Sequence, residues 1–260
     1  MNGNEIITER VNRIAILRFN RPLLHNALNA AMLKQLERAL NEVENDSEIR
    51  VVIFTGSGNK SFISGSDIKE LRERNPLSGI ETSIERQSIL NRIEGFRLPS
   101  IAAINGYAFG FGCELAISCT LRLASEKASL GQLEINLGII PGAGATQRLP
   151  RLIGKAKASE LILMGRIIQA KEAFRIGLVN KVVAHEALMD ESLKWARELA
   201  EKSPVAMKYA LTAINQGMGA DLATGLKIES LCLGACFASP DSQEGLKAFL
   251  EKRKPKFGEN

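Results

Sequence analysis

The chain has 260 residues, of which 45% are hydrophobic and 24% charged, a composition typical of an ordinary globular protein with room for a substantial core. Its 34 basic and 29 acidic side chains give a formal net charge of +5, which suits an anionic small molecule as well as a nucleic acid. His25 and His185 are the two histidines, and neither has a second His or a Cys at metal-ligand spacing, so zinc chemistry through a histidine pair is disfavoured.

Strands and helices are predicted to alternate through the first half of the chain. Residues 51–55 form a continuous apolar run, the pattern of a strand buried on both faces, and Asp67 has the position of a helix N-cap. In chain order, the predicted elements are a hairpin at 5–9 and 13–19, a helix at 29–43, a strand at 51–55, a polar loop at 56–61, helices at 68–74 and 80–96, a strand at 100–104, a helix at 113–119 and a strand at 121–124.

The last third of the sequence is predicted to be almost entirely helical, with only residues 179–183 extended. Repeated ββα and βα units followed by packed helices indicate an α/β fold. The helices are predicted at 155–164, 171–176, 186–201, 204–215, 222–237 and 241–252.

The segment at the N-terminus is polar, with acidic residues and no apolar run, so it has the features of neither a signal peptide nor a transit peptide. No stretch approaches the ~20 uninterrupted apolar residues that span a membrane. We therefore expect a cytoplasmic protein that does not interact with a membrane.

Glycines and carboxylates meet in three segments, at residues 64–67, 105–114 and 131–144. None of them is a GxGxxG or GK[ST] loop, so nucleotide binding through those motifs is disfavoured. Backbone N–H groups from two such turns can converge on a developing oxyanion, and Glu114 and Glu134 can serve as a general acid–base pair. The same residues also fit a simpler interpretation, in which Glu114 stabilises a helix N-terminus and the glycines form ordinary turns.

The sequences at residues 60–69, 103–115 and 131–149 resemble the crotonase family, specifically the enoyl-CoA hydratases, and the resemblance extends from about residue 6 to residue 257. It implies an α/β fold, a crotonase-like spiral of ββα units with a helical C-terminal trimerisation region. Residues 1–200 would be the core with the acyl-CoA site and residues 201–260 the helical oligomerisation region. The implied assembly is a homo-hexamer made of two trimers.

The resemblance also implies an activity, the addition of water to a trans-2-enoyl-CoA to give a (3S)-3-hydroxyacyl-CoA. Glu114 and Glu134 would be catalytic and would hold one water between them, with Glu134 delivering a proton to C2. The backbone N–H groups of Ser66 and Phe111 would form the oxyanion hole. Neither a metal nor another cofactor is implied, because coenzyme A is part of the substrate.

Residues that would contact the CoA thioester follow from the same resemblance. Lysines suit its phosphates because the ammonium is a mobile point charge. Phe249 and Lys252 would reach the ligand from a neighbouring subunit. The expected set is Ser64, Gly65, Ser66, Asp67, Ile68, Lys69 and Gly110, together with Phe249 and Lys252.

Three positions depart from the family pattern, namely Ser66, Phe111 and Leu133. If Phe111 must adopt an unusual backbone conformation, we expect a cost of about 1–3 kcal/mol; its ring would otherwise line or shorten the acyl channel. An enoyl-CoA isomerase is the alternative within the family, but two retained glutamates favour a hydratase. RNA binding is not expected, because few aromatic residues are present and no RNA-recognition module is found.

Overall fold

The computed structural model describes residues 4–258. The strands of this part are β1 (Ile6–Val11), β2 (Ile14–Phe19), β3 (Val51–Gly56), β4 (Ser61–Ile63), β5 (Ser100–Ile104), β6 (Tyr107–Phe109), β7 (Leu121–Ser125), β8 (Ser129–Gly131), β9 (Ile167–Gln169) and β10 (Lys181–Val183). The helices are α1 (Ala30–Asn45), α2 (Ile68–Arg72), α3 (Pro76–Glu94), α4 (Phe111–Ser118), α5 (Ala145–Ile153), α6 (Lys155–Leu163), α7 (Ala170–Arg175), α8 (Leu188–Ala200), α9 (Pro204–Gly217), α10 (Leu222–Phe237) and α11 (Pro240–Leu250).

Six strands form the larger sheet, in the order β1-β2-β3-β5-β7-β10. The hairpin of β1 and β2 is antiparallel, as predicted, and the remaining pairs are parallel. Alternate residues of β3 enter two different apolar clusters. Val52 and Phe54 pack towards the cluster that contains α1, α3 and α4, whereas Val51 and Ile53 pack towards α8. This burial on both faces explains the uninterrupted apolar run in β3.

A second, four-stranded sheet has the order β4-β6-β8-β9. Its first three strands are parallel to one another, and β9 is antiparallel to β8. In each of the consecutive pairs β3–β4, β5–β6 and β7–β8, the first strand belongs to the larger sheet and the second to the smaller one, and a helix or 3-10 turn follows the pair. The predicted α/β spiral of ββα units is therefore confirmed.

Several predicted boundaries are wrong. The loop predicted at residues 56–61 contains the start of β4, and β6, β8 and β9 were not predicted, because strands of three residues are too short to show a period. Helix α5 was also missed. Helix α3 begins at Pro76 rather than at residue 80, since Asn75 and Ser78 form a capping box ahead of it.

Helices α9, α10 and α11 make up the C-terminal helical region. Helix α10 packs against α9, and none of its residues is buried in the single chain. Along residues 4–258 no single helix has the length and hydropathy of a membrane span. Helices α10 and α11 have that length and hydropathy when taken together, but a 74° bend separates them. The large apolar side chains that α10 exposes are Leu222, Leu226, Leu231, Leu233 and Phe237.

Candidate active site

The three predicted segments meet at the carboxyl ends of β4, β6 and β8, which are neighbours in the smaller sheet. Residues 64–67 follow β4, Gly110 follows β6, and Glu134 comes three residues after β8. Because these strands are parallel, their carboxyl ends lie along one edge of the sheet, the usual place for a site in α/β proteins. The topology therefore brings together residues that are as many as 70 positions apart.

The turn after β4 leaves the backbone N–H of Ser66 unbonded. Leu28 and Ser66 form an isolated parallel bridge, in which the N–H of Leu28 donates to the carbonyl of Gly65 and the N–H of Asp67 donates to the carbonyl of Leu28. Since successive N–H groups of an extended segment point in opposite directions, the N–H of Ser66 points away from Leu28. No group of residues 4–258 accepts a hydrogen bond from it.

The turn after β6 places a second unbonded N–H nearby. Gly110 has φ 49° and ψ −120°, a conformation that L side chains rarely adopt, and Phe111 then begins α4. The N–H of Phe111, in the first turn of that helix, has no acceptor in the described chain. A β-carbon built on Gly65 would lie 3.6 Å from the carbonyl oxygen of Phe109, which shows that the two turns are adjacent.

The condition under which Phe111 would be strained is not met. Phe111 has an ordinary helical backbone, and the unusual conformation falls on Gly110 instead. The ring of Phe111 is 1% exposed and belongs to the main apolar core. The next position, 112, must be glycine, because a β-carbon there would approach the carbonyl oxygen of Ile63 in β4 to 2.1 Å.

Glu114 lies in the first turn of α4 and is 2% exposed. Its Oε1 accepts hydrogen bonds from the N–H groups of Ala143, at 2.8 Å, and of Ala145, at 3.1 Å. Ala145 begins α5, so the carboxylate sits at the N-terminus of a second helix, where negative charge is favoured. Burial nevertheless dominates and raises the pKa of Glu114, against these hydrogen bonds and the charges of Arg86 and Arg148.

Glu134 opens a 3-10 turn and is less anchored than Glu114. Its Oε2 is buried and has no hydrogen-bond partner among the described residues. A β-carbon built on Gly110 would lie 2.6 Å from its Oε1, so the carboxylate packs directly against that turn. Burial and the nearby charge of Glu114 raise the pKa of Glu134 to about 7. Burial raises the pKa of both carboxyl groups, but Glu114 is anchored by two backbone N–H groups and the buried Oε2 of Glu134 by none.

One residue of the site was not predicted from the sequence, namely Arg86 on α3. Its Nη1 donates a hydrogen bond of 2.7 Å to Oγ of Ser66, and its guanidinium lies 5.6 Å from the centre of the Phe111 ring. Arg86 is only 8% exposed. A signal was available, because Arg86 precedes the core residues Ile89 and Ile93 by three and seven positions and so falls on the apolar face of the helix.

The predicted CoA-binding residues fall into two groups. The first group comprises residues 64–69 on the turn after β4 and Gly110 on the adjacent turn after β6, which packs against Glu134. On the turn after β4, the carboxylate of Asp67 caps α2 through the N–H of Lys69 and pairs with Arg21 at 3.2 Å. Phe249 on α11 and Lys252 just after it are exposed. No hydrogen bond or ion pair of residues 4–258 connects these two to the turn at 64–69.

Within residues 4–258 no group of three or more His, Cys, Asp or Glu side chains is arranged to hold a metal ion. The site consists of a buried carboxyl group and a half-buried one, both with raised pKa values, two unbonded backbone N–H groups and a buried cation. Such a site, at the strand ends of an α/β fold, defines a protein equipped for acid–base chemistry on a compound that develops negative charge on oxygen.

Comparisons with known proteins agree with this description. The family model described as enoyl-CoA hydratase/isomerase matches residues 9–260. The chain is 45% identical to the short-chain-enoyl-CoA hydratase of Clostridium acetobutylicum, over 98% of this chain and 97% of that protein. It is 44% identical to the crotonyl-CoA hydratase of Syntrophomonas wolfei, over 99% of both. The crystal structure of enoyl-CoA hydratase from Bacillus anthracis matches with a TM-score of 0.95 and 39% identity, over 99% of this chain and 100% of that one.

The chain belongs to the enoyl-CoA hydratase/isomerase family. The resemblance predicted from three short motifs is thereby confirmed over nearly the whole sequence.

Proposed function

We propose that this protein is an enoyl-CoA hydratase, a hydro-lyase that adds water to a trans-2-enoyl-CoA and forms a (3S)-3-hydroxyacyl-CoA. The observation that carries the proposal is the pair formed by the buried Glu114 and the half-buried Glu134, next to two unbonded backbone N–H groups. The names of the matched relatives support the same reaction. Two retained carboxyl groups favour hydration over the isomerase alternative, which generally needs one.

The thioester carbonyl is polarised by the N–H groups of Ser66 and Phe111. As water adds to C3, negative charge moves onto the carbonyl oxygen, and donors aimed at that oxygen stabilise the enolate-like transition state. Removing a single donor from such an oxyanion hole costs about 10²–10³ in kcat in other enzymes. The N-terminus of α4, which begins at Phe111, adds the positive end of its dipole at the same place.

Glu114 and Glu134 divide the proton transfers. Glu114, held by two backbone N–H groups, takes a proton from the water as the oxygen bonds to C3. Glu134 delivers a proton to C2, and its pKa of about 7 leaves a substantial protonated fraction at neutral pH. One proton is taken up and one is given, so water adds without a change of oxidation state, and return of a proton from Glu114 to Glu134 restores the starting state. The proposed reaction uses no metal or other cofactor.

The CoA part of the substrate binds along the turn at residues 64–69 and beside Gly110, with Lys69 near the phosphates. Phe249 and Lys252 act from a neighbouring subunit, which agrees with their exposure on the single chain. The exposed apolar side chains of α10 suit a protein–protein interface. Residues 201–260 accordingly assemble the protein into a hexamer of two trimers around the core of residues 1–200. A cytoplasmic location completes the proposal, and no nucleic acid partner is expected.

The test is incubation of the purified protein with crotonyl-CoA while the enoyl absorbance is followed. We expect the absorbance to fall in the wild type, and kcat to decrease by about 10²–10⁴ in each of Glu114→Gln and Glu134→Gln. Glu81→Gln, an exposed glutamate on α3, is the matched control and should behave as the wild type. If the absorbance does not fall and the protein converts a 3-enoyl-CoA to the 2-enoyl isomer, the proposed function would change from hydratase to isomerase.

A further inference from the structure

Arg86 is the one charged residue among the four buried residues of α3. Its guanidinium donates a hydrogen bond to the hydroxyl of Ser66 and lies over the ring of Phe111, and these are the two residues with unbonded backbone N–H groups. Those two residues belong to different turns, one after β4 and one after β6. A single guanidinium therefore connects both sides of the proposed oxyanion hole.

The environment of Arg86 is unusual for an arginine that serves only the fold. Arg122, which is equally buried, donates from Nε to the carbonyl of Leu178 and from Nη1 to the carbonyl of Cys119. In Arg86 the Nε is buried without a partner in the described residues, and no carboxylate there lies within ion-pair distance. A buried cation with so few partners is costly to the fold, and burial lowers its pKa to about 10. A residue kept at such a cost suggests a function.

The charges around Arg86 connect it to the carboxyl pair. Glu114, Glu70 and Glu85 stabilise its cationic form, whereas Arg74 opposes it. In return, the charge of Arg86 lowers the pKa of Glu114 and that of Glu134, against the stronger effect of burial. Arg86 is the one cation among the main influences on the pKa of both Glu114 and Glu134.

We propose that Arg86 is a positioning residue for the hydration reaction, which ties the Ser66 turn to the start of α4 and keeps negative charge on the Glu114–Glu134 pair. This inference rests on the proposed function. The hydrogen bond to Ser66 fixes the direction of one oxyanion donor, and the contact with Phe111 fixes the position of the other. Its charge opposes the uptake of a second proton by the pair, which would leave the pair without a base.

The experiment compares Arg86→Met and Arg86→Lys with the wild type in the crotonyl-CoA assay across pH. In Arg86→Met we expect kcat to fall about tenfold or more, with KM changed less, because the donors lose alignment in the transition state. Both limbs of the pH profile should move to higher pH, since removal of a cation raises the pKa of each carboxyl. Arg86→Lys retains the charge and should restore the pH profile without restoring the full kcat, since an ammonium lacks the planar fork.

Two further variants separate this role from a purely structural one. Arg92→Met removes another arginine of α3, one that pairs with Glu44 at a distance from the site, and should leave both kcat and the pH profile unchanged. Ser66→Ala combined with Arg86→Met measures the coupling between these two residues. If Arg86 acts through Ser66, the factor by which kcat falls in the double variant should be clearly smaller than the product of the factors in the two single variants.

The proposal is overturned if folded Arg86→Met keeps the wild-type kcat and pH limbs, or if only its thermal stability changes. If the wild type does not hydrate crotonyl-CoA, the proposed function fails first. The electrostatic effect is then measured by carboxyl ¹³C NMR titration of Glu134 in wild type and Arg86→Met, with circular dichroism as the check of folding. An unchanged titration would reject the role of Arg86.

Discussion

Glu134→Gln should stabilise the protein at neutral and alkaline pH while abolishing most of its activity. The pKa of Glu134 rises from the ordinary 4.5 to about 7 in the fold, and each unit of pKa corresponds to about 1.36 kcal/mol. Folding with an ionised Glu134 therefore costs up to about 3 kcal/mol. Glutamine is neutral at every pH and avoids this cost, because it brings no charge to the unpartnered position of Oε2.

The pH dependence gives the sign of the effect. Below about pH 4.5 the carboxyl of Glu134 is protonated in both the folded and the unfolded chain, so it does not lower the free energy of unfolding. As pH rises from 4.5 towards 7, the unfolded chain ionises first and the wild type loses stability; above about pH 7 the full cost is present. The advantage of Glu134→Gln in the free energy of unfolding should grow over this interval and then level off.

The assay is urea unfolding, followed by circular dichroism at pH 5, 6, 7 and 8, at one ionic strength and one protein concentration. Glu81→Gln is the control for the loss of a carboxylate, since Glu81 is an exposed residue of α3. It should leave the difference from the wild type flat across pH. A Glu134→Gln variant that gains no more stability at pH 8 than at pH 5 would refute the argument that burial raises this pKa.

Three other perturbations give distinct outcomes. Glu114→Ala leaves the buried N–H groups of Ala143 and Ala145 unpaired and should lower the free energy of unfolding by about 1–3 kcal/mol; Glu114→Gln keeps an acceptor and should lose much less in the same urea assay. Gly110→Ala places a methyl against the Glu134 carboxylate in a conformation unfavourable for alanine, so stability should fall by about 1–3 kcal/mol and kcat should fall with it, as unfolding and crotonyl-CoA kinetics will show. Lys69→Ala and Lys252→Ala should each raise KM for the CoA substrate far more than they change kcat. A KM equal to that of the wild type would exclude a phosphate contact by the substituted lysine.

Strands that are buried over five or six residues could be predicted from the sequence, and the smaller sheet could not. Strand β3 shows a continuous apolar run because both of its faces are covered, one by the main core and one by α8. Strands β4 and β6 contain three residues each and are held by neighbours that are distant in the chain. A run of three residues carries no period, so its strand conformation depends on tertiary pairing alone.

The two glutamates show how far the sequence defines the site and where structure is needed. Their positions next to glycine-rich turns mark both as candidates, and the family resemblance implies a catalytic role for them, but residue type and spacing do not distinguish one from the other. The difference arises at the start of α5, a helix absent from the sequence-based prediction. The N–H of Ala145, its first residue, and the N–H of Ala143 just before it hold Glu114, whereas the buried Oε2 of Glu134 has no hydrogen-bond partner among the described residues. In the proposed mechanism the better-anchored Glu114 is the base, because its two hydrogen bonds oppose the effect of burial and favour the ionised form. In the same proposed mechanism Glu134, with a pKa of about 7 and a buried oxygen that has no partner among the described residues, holds the proton for C2.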